Sequence, residues 1–214
     1  MILSKKFYSQ STLKVARDLL GKFLVYDSPQ GKIVGKITET EAYAGLEDRA
    51  SHASRGLTPR TALMYGEAGR WYIYLIYGFY HCLNVVTEAK GYPAAVLIRA
   101  VEPVEGVKIM IKNRKAGKNM IISAEKLANG PGKLCQAFGI AKGLNGSKVF
   151  GHRHINRQGG GASRSVSLFI EDRGAEIKKS DIAAAKRVGV DYAGEWKDKE
   201  WRFYLRGSSF ISKK

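Results

Sequence analysis

Thr38-Glu39-Thr40-Glu41-Ala42-Tyr43, followed further along by Trp71-Tyr72-Ile73-Tyr74-Leu75-Ile76-Tyr77-Gly78-Phe79-Tyr80-His81-Cys82-Leu83-Asn84, is the pair of stretches that decides the fold. Strand alternation puts Glu39, Glu41 and Tyr43 on one face of the first piece and Thr38, Thr40 and Ala42 on the other. An uncompensated buried carboxylate is costly, so that face is either solvated or lines a polar site. The second piece reads as an apolar strand with Tyr72 and Tyr74 on one side and Ile73 and Leu75 on the other. A Tyr77-Gly78-Phe79-Tyr80 turn then leads into a short strand ending at Asn84, which predicts a hairpin with aromatics at its tip. Such tips normally face water. Between the two pieces, residues 44–69 are polar, contain His52, and are punctuated by Gly45, Gly56, Pro59, Gly66 and Gly69. A loop of that length inside a compact domain is usually functional or disordered.

Outward from there the chain alternates helix and strand signals. Ser9 or Ser11 is placed to cap a helix with apolar positions Leu13, Ala16, Leu19 and Leu20, ended by Gly21. Phe23–Tyr26, the turn Asp27–Gly31 and Ile33–Tyr43 predict a first hairpin. Ala94–Val101 reads as a core strand, and Pro103 as the start of a helix running to about Arg114. Lys112–Lys118 reads as a basic loop. Ser123 is expected to cap a short helix that Asn129-Gly130-Pro131-Gly132 breaks before another begins at Lys133. That helix start offers unpaired N–H groups beside a lysine: a phosphate site or simply a corner between helices. Residues 143–165, with Gly159-Gly160-Gly161, are expected to form a mobile surface loop. Val166–Ile170 and Trp201–Arg206 read as strands, and Ser180 as the cap of a short alanine-rich helix. The expected architecture is α+β: a single domain over residues 1–214, with a mainly antiparallel curved sheet, packed helices and a protruding β-hairpin.

Composition bounds the function. A chain of 214 residues can bury a core without disulfides or metals. Cys82 and Cys135, far apart in apolar surroundings, are expected to be buried thiols of a reducing, cytoplasmic protein. The N-terminus is charged too soon for a signal peptide, and no apolar run is long enough for a membrane span. The 36 Lys+Arg against 19 Asp+Glu give a net charge of +17. Residues 1–107 carry 13 basic and 10 acidic side chains, and residues 108–214 carry 23 and 9, so the excess lies in the second half. Such a balance points to a polyanionic partner, most often nucleic acid.

The ordered set Glu39–Tyr43, Glu47-Asp48, His52, Thr58-Pro59-Arg60, Tyr72-Ile73-Tyr74, Ile76-Tyr77-Gly78, Cys82-Leu83-Asn84 and Leu97-Ile98-Arg99-Ala100 resembles the alkyladenine (3-methyladenine) DNA glycosylase family. Gly130–Ala137, Arg187–Val190 and Arg202–Ser208 extend the resemblance over nearly the whole chain. Residues 144–165, with His152 and His154, depart from it and read as a local insertion in which both histidines are loop residues. The resemblance implies an enzyme that rotates a damaged purine out of double-stranded DNA and hydrolyses its N-glycosidic bond. It implies Glu41 as the general base that activates water, with Arg99 positioning the nucleophile or the carboxylate. Tyr43, His52 and Tyr74 match the residues that sandwich the flipped base, where aromatic stacking is worth about 1–3 kcal/mol. Electron-poor alkylated purines should stack best on such rings. Asn84 matches a position that disfavours guanine by crowding its exocyclic amine, and Tyr77 matches the wedge that fills the vacated stack. Tyr72 has no matched role and reads as core. Lys133 is the expected phosphate contact. The position of the base holds Glu rather than Lys, so a Schiff-base lyase is not implied; the enzyme is expected to be a monofunctional monomer needing neither metal nor cofactor.

Two other classes use some of the same residues. A non-catalytic nucleic-acid-binding module accounts for the charge and Tyr77 but leaves Glu41 idle. An enzyme acting on RNA or on free nucleosides is the other, and its free-nucleoside version leaves the +17 unexplained. Abasic-site formation in damaged duplex DNA separates all three.

Overall fold

The computed structural model describes residues 1–115, 121–150 and 166–213. Eight strands form one sheet in which every pairing is antiparallel. In chain order they are β1 (Phe23–Ser28), β2 (Gly31–Ala44), β3 (Trp71–Ile76), β4 (Tyr80–Val86), β5 (Ala94–Glu105), β6 (Ser167–Glu171), β7 (Ile182–Ala185) and β8 (Arg202–Leu205). The path runs β3-β4-β5-β2-β1-β6, with β8 joined to β2 and β7 to β8. Among the described residues five α-helices, α1 (Lys5–Tyr8), α2 (Thr12–Asp18), α3 (Val107–Lys115), α4 (Ala124–Leu127) and α5 (Pro131–Phe138), accompany it. The main core gathers Tyr8, Leu19, Trp71, Phe138 and Phe203 with the aliphatic face of the sheet. Thr40 Oγ1 donates to the Ala16 carbonyl at 2.8 Å and ties α2 to β2.

The fourteen-residue β2 organises the rest. Its first half pairs with β1, from Ser28↔Gly31 to Phe23↔Lys36. From Glu39 to Glu41 the same edge pairs with β8 instead, while β5 stays on the other side throughout. Register irregularities on either side of Glu39 mark where the partner changes. Bulges bend a strand and re-aim its side chains. Here the bend places Glu39 and Glu41 where β5, β2 and β8 converge, and both are fully buried. The polar-site alternative for this face is the one the fold realises.

Several expectations are corrected. Pro103 lies within β5, opposite Gly35 at a register shift, where a residue without an N–H is tolerated. The helix starts instead after Gly106, whose φ is 73° and where an added Cβ would run into the Lys32 carbonyl. The alanines after Ser180 form β7, not a helix. A run so short gains little from helix propensity, whereas pairing with β8 satisfies its backbone. The first expected helix is α2, with Ser11 at its N-cap position, and the unexpected α1 precedes it; the α2 start is capped by Glu88, which accepts from Thr12 N–H at 2.8 Å, rather than by a serine side chain. α5 begins at Pro131, two residues before the expected Lys133. The stretch from 143 is not a mobile loop as far as 150. Trp71 N–H donates to the Ser147 carbonyl, Ile73 N–H to Asn145 Oδ1, and Val149 is buried. His152, His154 and the triple glycine lie outside the described residues. Among those described, no helix is long and apolar enough to cross a membrane.

Candidate active site

Six of the residues singled out in the sequence, Tyr43, His52, Tyr74, Tyr77, Asn84 and Arg99, line one cavity of about 310 Å³ at the junction of β2, β3, β4 and β5. Glu41 lies directly behind its wall. Tyr43 Oη donates to Glu41 Oε2 at 2.7 Å, Arg99 Nη1 donates to the same oxygen at 3.1 Å, and the Val188 N–H donates to Oε1 at 2.7 Å. A buried carboxylate needs this many donors, since its hydration has been replaced. Burial alone would pull the Arg99 pKa down, but Glu41 and Glu39 outweigh it and hold the guanidinium charged. Burial, and then the Glu41 carboxylate, push the Tyr43 hydroxyl well above its ordinary range, so it stays a donor. Burial likewise drives the Cys82 thiol up to about 11, which leaves this pocket-lining cysteine neutral.

His52 sits at the start of a short 3-10 helix (His52–Arg55), with Ser51 Oγ accepting from Ala53 N–H. Its ring meets that of Tyr74 edge-on, 4.6 Å between centroids. Nδ1 lies 3.0 Å from Tyr72 Oη, and Nε2 lies 3.4 Å from Arg60 Nη2. Burial, then Arg60 and Arg55, lower the His52 pKa to about 4. The ring is therefore neutral at neutral pH. Because a guanidinium only donates, Nε2 is the acceptor and Nδ1–H faces the Tyr72 hydroxyl.

Asn84 is buried, and its Nδ2 donates to the Tyr72 carbonyl at 3.1 Å, which holds the amide in one orientation at the cavity wall. Tyr77 is 82% exposed at the β3–β4 tip, with φ of 52° followed by 77° at Gly78. Two consecutive positive φ values are the signature of a type I′ hairpin turn, and a tyrosine there is strained. Phe79 and Leu75 flank it, also exposed. Lys133 stands apart from the cavity, donating to Asn129 Oδ1 at 2.9 Å, although Pro131 of the same helix reaches the cavity wall.

Four residues had no assigned role in the sequence. Tyr72 is packed with Met64, Ala53 and Val86, as a core residue would be, and it also lines the cavity and orients His52. Arg60 stacks over the Tyr74 ring at 5.1 Å. Asp48 and Arg187 form a fully buried two-bond pair, at 2.6 and 2.8 Å, and Arg187 also donates to the carbonyls of Ala42 and Trp196. This pair fastens the 187–196 segment to β2 and so brings the Val188 N–H onto Glu41. The signal was present: Arg187 stands beside the apolar Val188-Gly189-Val190, where a charge must be paired if buried. Among the described residues, no group of three or more His, Cys, Asp or Glu side chains could hold a metal ion.

The model of the family described as methylpurine-DNA glycosylase (MPG) matches residues 6–209. A protein of Methanocella arvoryzae is 49% identical over 214 residues, covering 100% of this chain and 96% of its own length. Relatives from Desulfitobacterium hafniense and Clostridium perfringens are each 43% identical, covering 99% and 100% of this chain and 98% and 100% of their own. All three carry the name "Putative 3-methyladenine DNA glycosylase". The chain thus belongs to the methylpurine-DNA glycosylase family and is a monofunctional DNA glycosylase, a repair enzyme that hydrolyses N-glycosyl bonds.

Proposed function

We propose that this enzyme flips 3-methyladenine and related damaged purines, hypoxanthine among them, out of duplex DNA into the aromatic cavity and hydrolyses the bond with a water activated by Glu41. The observation that carries the reading is the placement of Glu41, fully buried against the cavity wall and gripped by three donors. Flipping brings the base between Tyr43 on one side and His52 with Tyr74 on the other, and Tyr77 occupies the gap left in the duplex.

The carboxylate oxygens differ in what they can do. Oε2 accepts from both Tyr43 and Arg99, which fills its lone pairs, whereas Oε1 accepts only from Val188 N–H among the described residues. Oε1 is therefore the oxygen with room for a proton from water. Water adds its oxygen to C1′, its proton goes to Oε1, and the bond from C1′ to the purine breaks with its electron pair leaving on the base. The products are a free purine and an abasic site. For an N3-methylated adenine the departing pair neutralises a cation, so its departure needs little help. For a neutral purine the leaving group develops negative charge and depends more on donors around it.

Glu41→Gln keeps the shape of the site and removes the base. Excision from methylated duplex DNA, read as abasic sites in single turnover, should fall by at least about a hundredfold, while affinity for the DNA stays near wild type. A variant that excises at the wild-type rate overturns the assignment.

A further inference from the structure

The last described residues of the chain end inside the network around Glu41, beyond residue 209 where the family match stops. Thr38 Oγ1 donates to the Phe210 carbonyl at 2.6 Å. Ser212 N–H donates to Glu39 Oε2 at 2.6 Å, and Ser212 Oγ donates to Glu39 Oε1 at 2.9 Å. The same hydroxyl accepts from Arg99 Nη2 at 2.9 Å and lies 3.3 Å from Arg99 Nε. Glu39 Oε1 also accepts from Arg99 Nε at 3.1 Å and from Arg202 Nη1 at 3.0 Å, and Arg202 Nη1 reaches the Lys213 carbonyl at 2.9 Å. Glu39, Arg99 and Arg202 are all buried.

A guanidinium facing a carboxylate prefers to grip it with two parallel N–H bonds. Arg99 does not do so with Glu41. Its Nε edge and Nη2 are taken by Glu39 and Ser212, so Nη1 alone reaches Glu41 Oε2. A two-bond grip would engage both oxygens of Glu41 and make it a weaker base. We propose that Glu39 and the C-terminal Ser212 are positioning residues that hold Arg99 to a single bond with Glu41, leaving Oε1 able to take the proton of water. The inference rests on the assignment of Glu41 as the base.

Charge supports the same division. Two guanidiniums, Arg99 and Arg202, face two carboxylates, Glu39 and Glu41. Removing the Glu39 charge leaves both cations to Glu41. Its other neighbours are the Tyr43 hydroxyl, the Val188 amide and, from β3 and β4, Tyr74 and Cys82, which burial keeps neutral. None can compensate. The acid limb of the pH–rate profile in Glu39→Gln should therefore move to lower pH.

The test uses the full-length enzyme and duplex DNA treated with a methylating agent, with release of methylpurine measured in single turnover. Ser212→Ala should slow excision about tenfold, since small misplacements at a reacting centre carry large rate costs, with affinity for an abasic-analogue duplex within about twofold. Ser212→Thr, which keeps the hydroxyl, should restore the rate. In Glu39→Gln the acid limb should move to lower pH, a change that a merely structural role does not produce. Wild-type excision by Ser212→Ala overturns the proposal, as does a loss that follows the affinity or an acid limb that stays in place. Should Glu39→Gln not fold, the Ser212 pair decides alone. Glu41→Gln, run in parallel, separates the two readings. If it is active, the base assignment falls; if it is inactive while Ser212→Ala behaves as wild type, only the C-terminal positioning falls.

Discussion

His52 shows how one side chain is conditioned by its neighbours. Its ring is partly buried between Tyr72, Tyr74 and Arg60, and both nitrogens are engaged, so protonation would put a third positive charge beside Arg60 and Arg55. The unfolded histidine titrates near 6.5 and the folded one near 4. Above 6.5 both states are neutral and His52 contributes no pH dependence. As pH falls from 6.5 to 4 the unfolded state takes up the proton first, so stability is lost across that window. His52→Gln should keep a hydrogen-bonding side chain without the titration. Its melting temperature should fall less between pH 6.5 and 4 than that of the wild type; equal losses would mean that His52 is not depressed. The residue types at the site were legible in the sequence because Glu41, Tyr43, His52 and Tyr74 fell in an ordered motif set. The supporting partners were not, because Asp48 and Arg187, or Glu39 and Ser212, meet across more than a hundred residues of chain and no local pattern announces the pairing.

At the scale of elements, the β3–β4 hairpin is the part most directly written in the sequence. Alternation gave its two strands, and Tyr77-Gly78 its turn, with Ile76↔Tyr80 as the closing pair. Turn chemistry of that kind is local, as is the hydrophobic run of β5. Elements whose form depends on tertiary partners were misread: β7 is a strand because β8 is there to pair with it, and Pro103 is tolerated in β5 because β2 is irregular opposite it. The tip itself spends strain on exposing an aromatic ring, with Tyr77 in the left-handed region and most of its surface in water. That exposure suits the wedge role proposed for Tyr77. Tyr77→Ala should lower the signal of a fluorescent base analogue paired opposite a lesion, while Tyr77→Trp, which still stacks, should lose much less. Because the ring is not part of the core, both variants should melt close to wild type. A flipping signal in the alanine variant equal to wild type would remove Tyr77 from the wedge role.

For the molecule as a whole, the +17 net charge was legible from composition, but where it acts was not. The structure gathers part of it beside the cavity. Burial, then Arg114 and Lys126, lower the Lys133 pKa, which marks three cations close enough to repel. Among the described residues none of the three forms an ion pair with a carboxylate; Arg114 donates to Gln136 and Lys133 to Asn129. An uncompensated cluster of this kind at α5, whose Pro131 borders the cavity, is the candidate contact we propose for DNA phosphates. If so, binding to undamaged duplex should weaken steeply with salt, with log K falling by about 0.9 for each phosphate neutralised per tenfold rise in salt. Lys133→Ala should reduce that slope by about one and weaken all sequences alike, because a phosphate contact carries no base information. Lesion preference should not change, since Lys133 does not touch the cavity that holds Tyr43, His52, Tyr74 and Asn84. An unchanged salt slope in this variant would move the DNA track away from α5. A changed lesion preference would mean that Lys133 reaches the flipped base, not the backbone beside it.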